Sequence, residues 1–236
     1  MIKKIEILGI QLDNYTVREE VMLVENYLTD DMLNAVEHIS MQMLVDAETD
    51  PTLKNVISAL SLAVIADKEI LQAAGAGTMQ QIREIEENDF FAEFFGRIER
   101  NGKSIFLLGE TSERIYAIRE KLSQDFPELT IAGEYAIEQC VGALDAVIND
   151  MNATTPDVIV SVLPSPMQEY FFWEHRDKMN AKIWYGIGDM EFQKRNVIRQ
   201  CFRSFVKRGR LKNRIKKYRE RRQKEEAAEN DGNGEI

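Results

Sequence analysis

Hydrophobic and polar positions follow two different periods along this chain, and the order is clearest in its second half. Beyond residue 103, short apolar runs alternate with stretches in which apolar residues recur every three or four positions. The first pattern predicts buried strands and the second amphipathic helices. The predicted strands are Ser104 to Leu108, Thr130 to Gly133, Val158 to Leu163 and Ala181 to Ile187, with helices that include Ser112 to Asp125 and Gln139 to Met151. This alternation predicts a parallel sheet with helical crossovers.

The first half shows the same two kinds of segment at shorter lengths. Ile5 to Leu12 is predicted as a strand, and Thr16 with Glu19 three residues later predicts a capped helix. Asp50-Pro51 opens another helix, and Leu62 to Ile65 is a brief apolar run. Further helices are predicted over 70–74, 79–87 and 90–100. The predicted fold class is therefore α/β, with a Rossmann-like parallel sheet flanked by helices.

The distribution of charge divides the chain into three parts. Residues 194–224 hold 15 of the 30 Lys and Arg residues and a single acidic residue, Glu220. Residues 1–193 hold 15 basic and 34 acidic residues, and the polar segment 225–236 is acidic. We therefore predict a folded domain over 1–193, a basic amphipathic helical arm over 194–224 and a disordered acidic tail over 225–236.

The basic arm has three interpretations, which the sequence leaves open. Basic residues alternate there with apolar ones at near-helical spacing, which is typical of helices that bind anionic membranes. The arm could instead cover the acidic body, or bind RNA. The pI of about 4.9 alone would argue against nucleic acid, but this mean hides the basic segment. The basic amphipathic pattern favours a membrane surface or a lipid-linked substrate.

Compartment follows from what the sequence lacks. Two cysteines, Cys140 and Cys201, have neither disulfide nor metal-ligand spacing, and no apolar run approaches 18 residues. We expect a cytoplasmic protein with no transmembrane helix. The sequence does not decide whether it forms a homo-oligomer.

Polar residues that follow predicted strands are the candidates for chemistry, because ligands of α/β folds bind at the carboxyl ends of strands. Ser165, Gln168 and Glu169 follow the strand that ends at Leu163. Gln168 could hydrogen-bond a sugar or base, whereas the alternative is an ordinary helix start with an early carboxylate. Ser165 lies between two prolines, outside any nucleophile-elbow pattern, so a serine nucleophile is not expected.

Two further strand ends offer chemistry. The turn that starts at Gly109, Gly-Glu-Thr-Ser, could cradle a phosphate with free backbone N–H groups, or be a plain turn. Asp67 follows the run Leu62 to Ile65 and could be a general base or a helix N-cap. Phosphate-loop and dinucleotide fingerprints are incomplete, no Asp-x-Asp occurs, and the two histidines have no partners. The sequence therefore predicts neither a cofactor nor a metal.

Several motifs in order resemble the WecG/TagA/CpsF glycosyltransferase family. The first is Ile7-Leu8-Gly9, Asp13-Asn14, Thr16 and Glu19, which resembles "ILG-x-x-x-DN-x-T-x-x-E". Asp50-Pro51-x-Leu53 is similar to "DP-x-LK", and Phe106 to Glu110 to "FLLGG". Pro156-Asp157, then Pro164 to Glu169, then Gly186 to Asp189, resembles "PD-strand-G-x-P-x-QE" followed by "GVGG". The resemblance covers about residues 5–190.

The resemblance implies an inverting, metal-independent transferase. It would move a hexosamine-type sugar from a UDP-sugar to a polyprenyl-diphosphate-linked acceptor at the cytoplasmic face of the membrane, in cell-wall or surface-polysaccharide synthesis. The family's proposed catalytic Asp falls on Asp67, which would accept the proton of the acceptor hydroxyl. The substrate-binding residues that it implies are Gln168, Glu169, Ser165, Gly109, Tyr135, His38 and Ser40.

The chain also departs from the family pattern. The family's "TPN-x-E" falls on His38-Ile39-Ser40-Met41-Gln42, so its Thr, Asn and Glu are all replaced. Glu110 and Asp189 replace the second glycines of "FLLGG" and "GVGG". These changes predict an altered sugar pocket. They also leave an alternative function open, that of a catalytically inactive relative acting as a membrane-associated adaptor or regulator.

Overall fold

The computed structural model describes residues 3–188, 214–218, 220–221 and 224. The strands are β1 (Lys4–Ile7), β2 (Ile10–Asp13), β3 (Asn34–Ile39), β4 (Leu62–Ile65), β5 (Ser104–Gly109), β6 (Thr130–Ala136), β7 (Val158–Val162) and β8 (Ile183–Gly186). The helices are α1 (Val17–Tyr27), α2 (Met41–Asp46), α3 (Pro51–Ser58), α4 (Lys68–Ala74), α5 (Met79–Glu87), α6 (Asp89–Arg100), α7 (Ser112–Asp125), α8 (Asp145–Ala153) and α9 (Met167–His175).

Six parallel strands form one sheet in the order β4-β3-β8-β7-β5-β6. This confirms the predicted α/β fold. It also shows that the sheet includes β3 and β4 of the first half, because β8 pairs with β3 on one side and β7 on the other. The last strand of the sheet therefore joins the two halves of the chain.

Helices cover both faces of the sheet and enclose separate cores. Helices α1, α6 and α7 pack on one face, here called the α1 face, around an aromatic cluster of Phe90, Phe94, Phe95 and Tyr185. Helices α3, α8 and α9 pack on the other, the α9 face, around Trp184. Both faces of the central strands are buried, which explains why their sequences are continuous apolar runs rather than alternating patterns.

The prediction of a single strand over Ile5 to Leu12 was wrong, because this segment is the antiparallel hairpin of β1 and β2. Leu8 (φ 54°) and Gly9 (φ 75°) form its two-residue turn with both residues in the left-handed region. A leucine rarely adopts this conformation, so the sequence carried no recognisable turn signal. The hairpin packs on the α9 face against the ends of β3 and β4.

Two other predicted boundaries differ. The helix predicted over Gln139 to Met151 begins only at Asp145, after a 3-10 turn over Ile137–Gln139. Gly142 has φ 112°, which no helix accommodates. Of the predicted arm, residues 214–218 are helical. Residues 194–213 of the predicted arm and the whole predicted tail, 225–236, lie outside the described residues.

Candidate functional site

The carboxyl ends of the six parallel strands form one edge, which carries the predicted site residues. After β5 the chain continues through α7 on the α1 face to the outer strand β6. After the adjacent β7 it continues through α9 on the α9 face to the inner strand β8. The chain thus leaves two neighbouring strands in opposite directions, and this is the position where open α/β sheets bind ligands.

Asp67 lies at the end of β4, half-buried, and reaches towards β3. Its Oδ2 accepts a hydrogen bond of 2.7 Å from the backbone N–H of Met41, and Ala66 N–H donates to the carbonyl of Ile39. Asp67 makes no side-chain cap to its own helix α4. The structure thus places the Asp67 carboxylate next to Ser40, the N-cap of α2, rather than on the N–H groups of α4.

His38 lies on the α1 face of β3, buried against Phe90 and Tyr185. Its Nε2 is 2.7 Å from the hydroxyl of Tyr185. Burial lowers the pKa of His38 to about 3 and raises the pKa of Tyr185 well above its usual value. Both groups are therefore neutral near pH 7, and a hydrogen bond between two uncharged groups joins Nε2 to the Tyr185 hydroxyl.

Gln168 and Glu169 lie in the first turn of α9 and are almost fully buried, at 1% and 0% exposure. The Oε1 of Gln168 accepts a 3.1 Å hydrogen bond from the N–H of Gly188, just beyond β8. Both side chains lie beside Glu37 of β3, a third buried polar group. Sequence analysis did not single out Glu37. Its signal in the sequence was weak, because the strand Asn34–Ile39 reads NAVEHI and holds three polar residues among three apolar ones.

The turn after β5 is closely packed and already holds a carboxylate. A Cβ on Gly109 would lie 2.7 Å from Cγ1 of Ile115, so only glycine fits between β5 and α7. The N–H and hydroxyl of Ser112 donate to Oε1 of Glu138 at 2.7 and 2.6 Å. These hydrogen bonds hold the pKa of Glu138 below its usual range. The Glu138 side chain thus accepts the hydrogen bond of the Ser112 N–H, one of the backbone groups predicted to bind a phosphate.

The remaining predicted residues lie elsewhere along the edge. Ser165 is half-buried in the turn after β7, next to the end of β5, and Tyr135 is half-buried on the outermost strand β6. At about 4.8 Å per strand, Tyr135 lies about 19 Å from the end of β3. The structure therefore brings His38, Ser40 and Asp67 together at one end of the edge. Gly109 and Ser165 lie at the ends of the neighbouring strands β5 and β7, and Tyr135 lies apart on β6.

The Asp13-Asn14 pair, which belongs to the first motif, has structural contacts. Asp13 Oδ2 accepts from the N–H of Ala63 at 3.1 Å, and Asn14 Oδ1 accepts from Gln81 at 3.0 Å. The capping box of Thr16 and Glu19 is also formed, as predicted. These residues attach the hairpin, α1 and α5 to β4.

Part of the predicted arm contacts the body. Ile215 is buried in the core beneath the hairpin, and the Tyr218 ring lies against Gly9. Arg214 and Arg221 both pair with Glu48, the former at 3.2 Å, and the Glu48 side chain is only 6% exposed. Lys216 and Lys217 remain exposed. Through Arg214, Ile215, Tyr218 and Arg221, this part of the arm contacts the acidic body.

Within 3–188 and the short C-terminal stretches, no three His, Cys, Asp or Glu side chains converge as a metal site would require. None of the helices in that same part of the chain combines the length and apolarity needed to cross a bilayer.

Comparisons with known proteins agree with the ordered motifs. The family model described as "Glycosyl transferase WecG/TagA/CpsF family" matches residues 5–191. Curated relatives from Staphylococcus aureus strains NCTC 8325 / PS 47 and COL are 21% identical over 187 residues, covering 78% of this chain and 73% of the relative. Both are named N-acetylglucosaminyldiphosphoundecaprenol N-acetyl-beta-D-mannosaminyltransferase.

Proposed function

The chain belongs to the WecG/TagA/CpsF family of glycosyltransferases, and we propose that it transfers a hexosamine-type sugar from a UDP-sugar to a polyprenyl-diphosphate-linked acceptor. The names of the S. aureus relatives specify an N-acetylmannosaminyl group and an undecaprenyl-diphosphate-linked N-acetylglucosamine acceptor. UDP-N-acetylmannosamine is therefore the first donor to test. The product would enter cell-wall or surface-polysaccharide synthesis.

The observation that carries this proposal is the position of Asp67. By the resemblance, the family's proposed catalytic aspartate corresponds to this residue. Its carboxylate lies half-buried at the carboxyl edge of the sheet, where ligands of α/β folds bind. The hydrogen bond from Met41 N–H orients the carboxylate and leaves lone pairs on Oδ1 for a substrate hydroxyl. Such a group has the reach and chemistry of a general base.

In the proposed step, the acceptor hydroxyl oxygen bonds to the anomeric carbon of the donor sugar. The bond from that carbon to the UDP oxygen breaks, UDP leaves on the opposite face, and the hydroxyl proton passes to Asp67. The anomeric configuration is therefore inverted. We propose that no divalent cation takes part, since the sequence has no Asp-x-Asp pair, and expect turnover to be unchanged by EDTA.

The test is turnover by the purified full chain. UDP-N-acetylmannosamine and UDP-N-acetylglucosamine are each supplied with a short polyprenyl-diphosphate N-acetylglucosamine, and the product is measured by mass spectrometry. We expect Asp67→Asn to lower kcat by about 10² to 10⁴-fold, because the amide cannot accept the proton. Asp46→Asn, on the exposed side of the adjacent helix α2, is the matched control.

Calorimetry with UDP separates binding from chemistry. The Asp67→Asn variant should still bind UDP, because the aspartate acts on the acceptor. Failure of the wild-type chain to bind UDP or either UDP-sugar would refute the proposed donor class. Turnover that Asp67→Asn leaves unchanged would remove Asp67 from the mechanism.

We propose that the protein works peripherally at the cytoplasmic membrane face through residues 194–224. The exposed Lys216 and Lys217 support this, since each cation near an anionic surface contributes about 1 kcal/mol. Replacing both with glutamine should weaken co-sedimentation with anionic liposomes about thirtyfold, and deleting 194–236 should abolish it. Lys178→Gln, an exposed lysine of the body, is the control. Pelleting of the deleted chain would show that the arm is not the contact.

A second candidate function has its own observation. His38 replaces a family motif residue and is neutral, buried and bonded to Tyr185, while Gln168 is bonded to Gly188. Residues expected to contact the sugar are thus engaged within the protein, as expected for a non-catalytic adaptor. The turnover assay decides: product formation that depends on Asp67 excludes the adaptor.

A further inference from the structure

Strand β3 carries a carboxyl group into the interior of the protein. Glu37 is 0% exposed on the α9 face, and its Oε1 accepts a 2.9 Å hydrogen bond from the indole Nε1 of Trp184. Its Oε2 is buried without a hydrogen-bond partner among the described residues. Desolvation penalises an ionised carboxylate at such a position, so the carboxyl is expected to keep its proton.

The groups that face Glu37 favour the same state. Glu169 and Gln168 face it from α9, Trp184 and Gly186 from β8, and Ala63 from β4. Of these only Glu169 titrates, and a second carboxyl disfavours ionisation. Burial, and then the charge of Glu169, raise the pKa of Glu37 well above its usual range, against the smaller opposing effects of Trp184 and Gln168.

The side chains of Glu37 and Gln168 approach each other beside Gly186. A Cβ on Gly186 would lie 2.7 Å from both Glu37 Cγ and Gln168 Cδ, so these two side chains meet in the space that the glycine leaves open. The oxygen of the carboxamide accepts from Gly188 N–H, which turns its Nε2 towards the side of Gly186 and Glu37. A carboxamide with different neighbours at its two ends has one preferred orientation.

Gly188 connects the two faces of the sheet at its carboxyl edge. Its N–H is held by Gln168 of α9, and its carbonyl accepts a 3.2 Å hydrogen bond from Arg114 of α7. Its φ of 55° lies in the left-handed region, which glycine adopts without steric cost. The turn Gly186–Gly188 therefore depends on Gln168 for its position.

We propose that Glu37, as a neutral acid, is a positioning residue: it fixes the carboxamide of Gln168 and through it the Gly186–Gly188 turn, against which the UDP-sugar binds. The binding role rests on the proposed function, whereas the positioning of the turn does not. Gln168 accordingly acts through Gly188 rather than by touching the donor.

The experiment compares Glu37→Gln, Glu37→Leu, Gln168→Leu and the double leucine variant. Glutamine preserves the shape and hydrogen bonding of a neutral carboxyl, whereas leucine preserves only the volume. Amide hydrogen exchange of Gly188, measured by NMR, reports the turn, and the indole N–H signal of Trp184 reports Glu37. Phe172→Leu, which loosens α9 packing against Trp184 without a polar change, is the control for general destabilisation.

We expect Glu37→Gln to leave both Gly188 exchange and the KM for the UDP-sugar within about twofold of wild type. Glu37→Leu should raise Gly188 exchange and KM about tenfold with kcat little changed. In the Gln168→Leu background, Glu37→Leu should raise neither quantity further, because Glu37 acts on the turn only through Gln168. The wild-type Trp184 signal should stay constant between pH 5.5 and 8. Phe172→Leu should not reproduce the rise in KM.

If Glu37→Gln raised Gly188 exchange and KM as much as Glu37→Leu, the neutral-acid role would be overturned. The same role would be overturned if the Trp184 indole N–H signal shifted with pH between 5.5 and 8 in wild type and no longer shifted in Glu37→Gln. Unchanged Gly188 exchange in Glu37→Leu would overturn the positioning itself. If Glu37→Leu does not fold, Gly188 exchange and KM of Glu37→Gln and Gln168→Leu still test the proposal. If the chain binds no UDP-sugar, the proposed function fails while the exchange data still settle the positioning.

Discussion

Glu20 lies on the buried side of α1, and replacing it with glutamine is expected to stabilise the protein more strongly as pH rises. The residue is 5% exposed. Burial, reinforced by the charges of Glu84, Asp13 and Glu19, raises its pKa from 4.5 to about 8. Between these values the folded protein keeps a proton that the unfolded chain loses.

The sign and size follow from proton linkage. Because the native state binds more protons than the unfolded state from pH 4.5 to 8, the free energy of unfolding falls as pH rises through that window. At about 1.4 kcal/mol per pH unit, the loss attributable to Glu20 is about 1 kcal/mol at pH 5 and about 3 kcal/mol at pH 7. Glutamine cannot ionise, so the Glu20→Gln variant should not suffer this loss.

The assay is urea unfolding followed by circular dichroism at pH 5 and pH 7. The stability advantage of Glu20→Gln over wild type should widen between them by about 2 kcal/mol. Glu120→Gln, which removes an exposed carboxylate from α7, should show no such widening. An advantage of Glu20→Gln that is constant with pH would refute the argument, since the glutamate would then titrate alike in both states.

Three further changes test separate contacts. Glu138→Gln should tighten UDP binding at least threefold by calorimetry if the phosphates approach Ser112, because it removes the carboxylate held there; unchanged affinity would place the phosphates elsewhere. Gly9→Ala should expose residues 214–221 to proteolysis, because its Cβ overlaps the Tyr218 hydroxyl, and adding Tyr218→Phe should partly restore protection. Phe94→Ala should cost about 3–5 kcal/mol in urea unfolding, since its ring is fully buried; a loss below 1 kcal/mol would show that the cluster refills the space.

The fold was predictable where local pattern and tertiary structure agree. Strands β5, β7 and β8 are largely apolar runs and α7 is amphipathic, so the period of the apolar residues assigned these elements, and the capping box at Thr16 marked the start of α1. The hairpin at Leu8-Gly9 was missed, because its leucine adopts a positive φ that only the packed hairpin supports. Strand order was also beyond local pattern, since β3 pairs with β8 about 150 residues later.

The candidate site divides in the same way. Asp67 and the turn at Gly109 were identified because each follows a strand, and carboxyl ends of parallel strands meet at one edge. The partners of the polar groups could not be identified, because they come from distant segments: Ser112 bonds to Glu138, and Glu37 lies beside Gln168, 131 positions away. A pattern shows that a polar residue follows a strand, but not whether the protein itself uses its hydrogen-bonding groups.

That distinction decides which residues remain to act on a substrate. His38 and Gln168 are buried and bonded within the protein, so their conversion to ligand contacts would require breaking native hydrogen bonds. Asp67, Ser40 and Ser165 are only half-buried at the carboxyl edge, where a ligand can reach them without such a cost. Substitutions at Asp67 should therefore change kcat with little loss of stability. Substitutions at His38 or Gln168 should lower stability and change substrate binding together, because these buried side chains hydrogen-bond to Tyr185 and Gly188 within the protein.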